Sequence, residues 1–320
     1  METEAIDGIS DSPVWLDGLG GTSVEADRGG LVPWYRLVDG HPNASRLLQQ
    51  EIALDSLTAQ ALLMPDTRPR CTPHGDGALL ILRGTGAEPG SDPEELVSIR
   101  LWVDAGRIVT YQFKELEAVA ALRSALDNRG GPKGPGDFVV LLAHLLNEGM
   151  RDLVDEIDAE LDSLEDVQVG ERISETRQAI TNLRRKVVKL RRFIGPQRDA
   201  LGLFLAEPFS WRTKTNDRRL RDVVDRITRL VEQLDEIHLR ASIAQESLTG
   251  LVAERLNRTM LLLSVVAGIF LPLGFVTGLL GMNVAGIPGA SWSYAFLAVA
   301  ALLVLVGLIE LLLLWRFRLL

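Results

Sequence analysis

The sequence predicts an α+β cytosolic domain, then a long helical stalk, then two C-terminal transmembrane helices. The first observation behind this is the run Met260 to Leu280, 21 residues without a charge, which as a helix would be about 31 Å long and match a bilayer core. The second is an apolar run from Tyr294 to Trp315, interrupted by Glu310. The third is a seam of Leu220, Val224, Ile227, Val231, Leu234, His238, Ala241, Gln245, Leu248 and Val252 at alternating spacings of four and three. That is the spacing of a coiled coil, and no proline intervenes before Pro272. Continuous helix from Asn216 to Leu280 would be about 97 Å long. The expected parts are an α/β domain over 1–130, a helical hairpin and stalk over 131–258 and a membrane hairpin over 259–320. Its spans are 260–280 and 294–315, with the loop 281–293 between them.

Charge sets the expected orientation. Arg255 and Arg258 precede the first span, Arg316 and Arg318 follow the second, and the loop Gly281 to Ser293 has no charge. The positive-inside rule then places both chain ends in the cytoplasm and the loop outside. The residues Met1 to Gly21 include five acidic side chains and no apolar core, so no signal peptide is expected and the first span acts as its own insertion signal.

At 320 residues the chain exceeds what one core usually supports. The net charge of −9 argues against nucleic acid as a partner and suits a body facing the cytosol. Cys71 is the single cysteine, which excludes a disulfide framework and a cysteine-based zinc site. No nucleophile–base pair, phosphate loop or metal-ligand cluster is legible, so an enzyme is not expected and no cofactor is implied.

Along the first domain, Ala78 to Leu82 and Leu96 to Val103 read as strands, and the turn Asp104-Ala105-Gly106 leads into a third, Arg107 to Phe113. Ser56 to Met64 and Glu115 to Leu126 carry helical spacing, the former ended by Pro65. His41 and His74 lie in loops with no second ligand at a fixed offset and read as surface histidines. A connector follows: Asn128 to Gly136 hold four glycines and two prolines.

From Asp137 to about Leu205 apolar residues recur three or four apart, interrupted at Val169-Gly170, which predicts two antiparallel helices. Nine acidic residues fall between Glu148 and Asp166, and Arg184, Arg185, Lys186, Lys189, Arg191 and Arg192 crowd the second helix. These are either mutually attracting solvated faces or, on the acidic side, a means of concentrating divalent cations. Pro208 breaks the second helix, and Thr213, Thr215 or Asn216 can cap the stalk. His238 on the seam is either a packed residue or, if copies assemble, one member of a ring of metal contacts.

One helical hairpin cannot enclose a hydrophilic path, so conduction requires several copies around an axis. Stepping back from Asn283 by three or four gives Gly278, Gly274, Leu271, Ala267 or Gly268, Ser264 and Met260. This small-residue stripe either lets helices pack closely or lines an axis, with the Ser264 hydroxyl facing a hydrated ion and Leu271 and Met260 as apolar constrictions. Pro272 removes one backbone hydrogen bond and can turn a carbonyl to the lumen.

Gly281-Met282-Asn283, directly after a first span and followed by a short loop and a second span, resembles the CorA superfamily of divalent cation transporters. Three further stretches are similar to its ZntB zinc transporter branch: Arg191 to Leu201 (RRFIGPQRDAL), Phe270 to Phe275 (FLPLGF) and Asn283 to Gly289 (NVAGIPG). The resemblance runs from about Asp66 to the end. It implies a homopentameric, CorA-like funnel in the inner (cytoplasmic) membrane, with the stalk continuing as the pore-lining span and the second span outside it. It further implies that Asn283 offers a ring of side-chain carbonyls to a hydrated cation at the external mouth, that Gly281 permits the turn, and that Met282 packs behind the ring. Magnesium-type members typically carry Tyr before the triplet, an acidic residue in the loop and a hydroxyl seven residues before the triplet's glycine. Here those positions are Leu280, an uncharged loop and Gly274, which fits the zinc branch.

Zinc prefers Cys and His ligands, and neither occurs between Met260 and Leu320. Amide oxygens suit an ion that keeps its waters, so the choice of zinc as cargo rests on the resemblance. Glu310, about five residues from the cytosolic end of the second span, is a candidate for proton coupling or a side chain that snorkels to the interface. The competing readings are a magnesium, cobalt or nickel channel of the same architecture, and a non-transporting membrane scaffold or sensor.

Overall fold

The computed structural model describes residues 13–23, 31–41, 43–65, 68–87, 95–165, 173–282 and 292–316. By its internal contacts the chain divides into two units, Met1–Gln245 and Glu246–Leu320.

The first unit is built on a seven-stranded sheet. Its strands are β1 (Val14–Leu16), β2 (Thr22–Ser23), β3 (Val32–Val38), β4 (Arg70–His74), β5 (Gly77–Gly84), β6 (Val97–Val103) and β7 (Ile108–Gln112). They lie in the order β2-β1-β3-β7-β6-β5-β4, with β3 parallel to β7 and the other pairs antiparallel. The expected hairpin is present, with Val103 opposite Ile108 and the Asp104 carboxylate accepting from the Gly106 and Arg107 amides at 2.9 and 3.0 Å. An Asx turn of this kind closes two strands with no special backbone torsion.

Helices cover both faces of this sheet. On one side lie a short turn Ala44–Arg46 (α1), its π-wound continuation Leu47–Glu51 and α2 (Ser56–Leu63), whose Leu48, Ala59 and Leu62 meet Leu79, Trp102 and Val109. Asp55 caps α2 by accepting from the Leu57 and Thr58 amides, both at 3.0 Å. On the other side α3 (Glu117–Asp127), α4 (Pro135–Glu165), α5 (Ile173–Ala206) and the start of α6 (Lys214–Leu280) bury Val119, Leu122, Phe138, Leu146, Leu201 and Leu220 against Leu80, Leu82, Ile99 and Leu101. Burial on both faces is why β5 reads as a near-continuous apolar run; β6 alternates at Ser98 and Arg100, which are buried too, Arg100 donating to Ser98 Oγ at 2.7 Å and to the Met64 carbonyl at 2.8 Å.

The Arg191 to Leu201 stretch has a structural reason at Gln197. Beyond Ile81, β4 no longer pairs with β5, and the Gln197 amide of α5 takes the vacant edge. Its Oε1 accepts from the Arg83 amide at 2.6 Å, and its Nε2 donates to the Arg83 carbonyl at 3.1 Å. A side-chain amide here does what a neighbouring strand's peptide would do. Arg83 also lays its guanidinium 4.0 Å from the Phe193 ring centroid and donates to the Leu96 carbonyl at 2.6 Å.

The two antiparallel helices expected after the connector are α4 and α5; Val169-Gly170 lies outside the described residues. The acidic face of α4 finds cations chiefly on α6 and less on α5. Arg240 of α6 donates to Asp158 at 3.0 Å and to Asp162 and Glu165, and Arg226 reaches Glu148 at 3.4 Å. From α5, Lys186 contacts Glu160 at 3.1 Å. The cap of α6 is Thr213, which accepts from the Asn216 amide at 3.2 Å while Asn216 Oδ1 accepts from the Thr213 amide at 2.9 Å, a reciprocal box that settles the choice left open by sequence.

The second unit holds the C-terminal part of α6 and α7 (Ala295–Arg316), which approach each other where Leu273 lies beside Gly307. The 22 residues of α7 give about 33 Å of helix.

Candidate functional site

The apolar end of α6 is helical through Pro272 and stops at Leu280. Only 6 % of its most apolar stretch is buried within the chain. Leu271 is 73 % exposed, and Met260, Phe270 and Phe275 are similarly bare. An apolar surface this continuous is stable in hydrocarbon or against other copies, and not in water.

Two faces of α6 are distinguishable. Val265, Ile269, Pro272, Leu273 and Val276 are the partly buried positions, and Leu273 Cδ1 lies 4.0 Å from where a Cβ on Gly307 of α7 would stand. Met260, Ser264, Ala267, Leu271, Gly274 and Gly278 are all exposed. At about 100° per residue the two sets fall on opposite sides of the helix. The stripe therefore faces away from α7. A Cβ at Gly268, Gly274 or Gly278 would meet nothing within 4 Å, so these glycines are not required by packing inside the hairpin.

The helix end is shaped by Gly281, whose amide donates to the Thr277 carbonyl at 2.9 Å. A Cβ on Gly281 would sit 3.0 Å from that oxygen, tight enough to favour glycine on steric grounds. The Thr277 hydroxyl donates back to the Leu273 carbonyl at 2.9 Å and the Gly274 carbonyl at 3.1 Å. Met282 is half-exposed. Asn283, with the loop after it to residue 291, lies outside the described residues, so the proposed ring has no geometry here.

On α7, Val299, Leu303, Val306 and Glu310 recur at helical spacing on the partly buried side. Glu310 Oε2 is buried without a hydrogen-bond partner. It lies on the same side of α7 as Gly307, a placement that depth in the span alone did not make legible.

His238 sits in the first unit between α5 and α6, beside Arg184, Arg185, Lys189 and Arg192. Its Nδ1 is buried without a partner. Among the described residues there is no group of three His, Cys, Asp or Glu able to hold a metal, and the cations around His238 oppose one electrostatically.

An α/β body with helices on both faces of its sheet, followed by one helix long and apolar enough to cross a bilayer and a second apolar helix, both largely bare, defines a protein whose C-terminal part suits a membrane. The sequence model of the family described as "CorA-like Mg2+ transporter protein" matches residues 31–318, and the chain belongs to that family, the CorA divalent cation transporters. It is 38 % identical over 265 residues to the divalent cation transporter CmaX of Pseudomonas aeruginosa, covering 82 % of this chain and 80 % of that protein. It is 31 % identical over 297 residues to the zinc transport protein ZntB of Cronobacter sakazakii, covering 91 % of this chain and 90 % of that one. Similarity to ZntB and CmaX bears out the branch to which the sequence motifs point. The solved full-length CmaX superposes with a TM-score of 0.83 at 34 % identity, covering 96 % of this chain and 97 % of that one. The CorA magnesium transporter of Methanocaldococcus jannaschii gives 0.76 at 18 %, covering 89 % and 90 %, which is likeness of fold.

Proposed function

We propose that the chain acts as a homopentamer in the cytoplasmic membrane, both termini inside, and moves a hydrated divalent cation, zinc foremost, along an axis lined by Met260, Ser264, Ala267, Leu271, Gly274 and Gly278. The observation that carries this reading is the placement of that stripe on the α6 face opposite α7, exposed throughout. A stripe used for packing inside the hairpin would face α7; one used between copies, at an axis, faces away. Pentamer and topology are supported by family membership and by the arginines flanking both spans.

Asn283 presents its side-chain carbonyl to the incoming ion, an oxygen donor suited to a cation that keeps part of its hydration shell. Leu271 and Met260 narrow the path, and Ser264 offers a hydroxyl between them. Zinc as cargo is supported by the similarity to ZntB, and the wider divalent range by the similarity to CmaX. Glu310, half-buried on α7 with its Oε2 unpartnered, is the group for coupled proton movement. The domain roles follow: 1–130 and 131–258 form the cytosolic funnel and stalk, and 259–320 the membrane part.

The test is flux into proteoliposomes of Zn2+, Co2+, Ni2+ and Mg2+ for the native chain and for Asn283→Ala. Zinc flux in the native protein and its loss in the variant are expected. Unchanged zinc flux in Asn283→Ala removes the ring, and no flux of any ion leaves a scaffold or sensor.

A further inference from the structure

Pro272 lies within the apolar end of α6 and has no N–H, so the carbonyl of Gly268, four residues earlier, loses its helical donor. Such a carbonyl is costly in hydrocarbon, where no water replaces the bond. Its oxygen points along the helix towards the residue it would have bonded, so it opens on the side of Pro272. Pro272 is one of the partly buried positions of α6, with Val265, Ile269, Leu273 and Val276. The side that needs a donor is therefore the side that α7 covers. On α6 itself the Thr277 hydroxyl is already bonded to the Leu273 and Gly274 carbonyls, and Ser264 lies on the opposite face.

α7 offers one candidate. Between Ala295 and Leu314 Glu310 is the single residue with a polar side chain, and its Oε2 is buried with no hydrogen-bond partner among the described residues. The heights of the two groups agree. Leu273 lies beside Gly307, and with the two spans antiparallel, as proposed above, Glu310 stands three residues, about 4.5 Å, beyond that contact. The Gly268 carbonyl, aimed towards residue 272, falls at the height of Ile269 and Phe270, about 4.5–6 Å from Leu273 in the same direction. No charged side chain lies between Met260 and Leu280, and none besides Glu310 between Ala295 and Leu314, so no other titratable group faces this carboxyl from either stretch.

We propose that Glu310, in its protonated form, donates its carboxyl O–H to the Gly268 carbonyl and so fastens α7 to α6 at the proline. One proton turns two facing acceptors into a donor and an acceptor, which satisfies both buried oxygens. Loss of that proton leaves two acceptors opposed and releases the fastening. On the transport reading above, on which this consequence rests, Glu310 is a positioning residue. Pro272 stands between Leu271 and Gly274 of the stripe, so the state of the carboxyl sets the course of the helix that lines the axis. The hydrogen bond itself requires no transported ion.

The experiment is infrared spectroscopy and thermal unfolding of the full-length protein in lipid nanodiscs, in metal-free buffer. As pH is lowered, a carboxylic C=O stretch that is absent in Glu310→Gln is expected. Pro272→Ala, which returns an amide to the Gly268 carbonyl, should move that band to the higher frequency of a less strongly bonded acid. At the acidic end of the series, Glu310→Leu should lower the unfolding midpoint by about 2–4 °C. Glu310→Gln, whose amide still donates, should lower it distinctly less, and Glu310→Leu should have little effect once Pro272 is replaced by Ala. No band that depends on Glu310, a band unmoved by Pro272→Ala, an equal loss from Glu310→Leu with and without Pro272, or a loss in Glu310→Gln as large as in Glu310→Leu overturns the assignment. Both readouts are free of metal and flux, so their failure is distinct from failure of the transport reading, which the Asn283→Ala flux test decides.

Discussion

Replacing Gln197 by Leu tests how α5 is fastened to the sheet. The side chain is 1 % exposed, and its amide closes two hydrogen bonds with the Arg83 backbone, 2.6 Å from the amide and 3.1 Å to the carbonyl. Leucine is close in volume, so the packing change is small, but it leaves one N–H and one C=O buried on the β5 edge. Each stranded group costs about 1–3 kcal/mol. Partial access of water to the carbonyl, which has a second lone pair, brings the expected total to about 2–4 kcal/mol. For a unit of some 245 residues this lowers the unfolding midpoint by roughly 5–12 °C, read by far-ultraviolet ellipticity of the solubilised protein. Gln178→Leu is the matched control: Gln178 lies on the same helix, exposed, and donates a hydrogen bond to Asn182 at 3.1 Å. Its expected effect is within about 0.5 kcal/mol. Equal midpoints for the two variants would refute the edge-completing role of Gln197.

Two other outcomes follow from titratable groups. Glu310→Gln should remove any dependence of cation flux on a pH gradient while leaving gradient-free flux in place; dependence that persists excludes Glu310 as the coupling group. In the first unit, burial pushes the Cys71 thiol up to about 12, and burial together with the 2.8 Å bond it donates to Asp39 pushes the Tyr111 hydroxyl up to about 12. Both raised groups hold their protons more tightly when folded, so their contribution is intact below the unfolded values near 9 and 10 and is lost as pH rises towards 12. A thiol-alkylating reagent at pH 8 should accordingly label Cys71 only when the protein is unfolded, and labelling of the native protein at the unfolded rate would contradict its burial.

Much of the architecture could be read from residues close in sequence. The hairpin β6 to β7 follows from the Asp104-Ala105-Gly106 turn, and the lengths of α6 and α7 follow from uncharged runs and a four-three seam, because helices and tight turns are fixed by contacts within a few residues. The strands β1 to β4 were not legible. β1 and β2 have only three and two residues, and β3 earns its place by pairing in parallel with β7, some 75 residues away, a partner no local pattern specifies.

The candidate pathway divides in the same way. Spacing alone marked Met260, Ser264, Ala267, Leu271, Gly274 and Gly278 as one stripe, and chain composition marked Glu310 as the lone charge in its span. Whether the stripe turned towards α7 or away from it depended on which residues of α6 meet Gly307, and whether Glu310 faced lipid or a helix depended on the same contact. The cationic surroundings of His238 likewise required α5 to be laid beside α6. Periodicity in a sequence fixes which residues share a face, since 3.6 residues per turn is a property of the backbone. It cannot fix what that face meets, because the neighbour is brought there by burial of residues far along the chain.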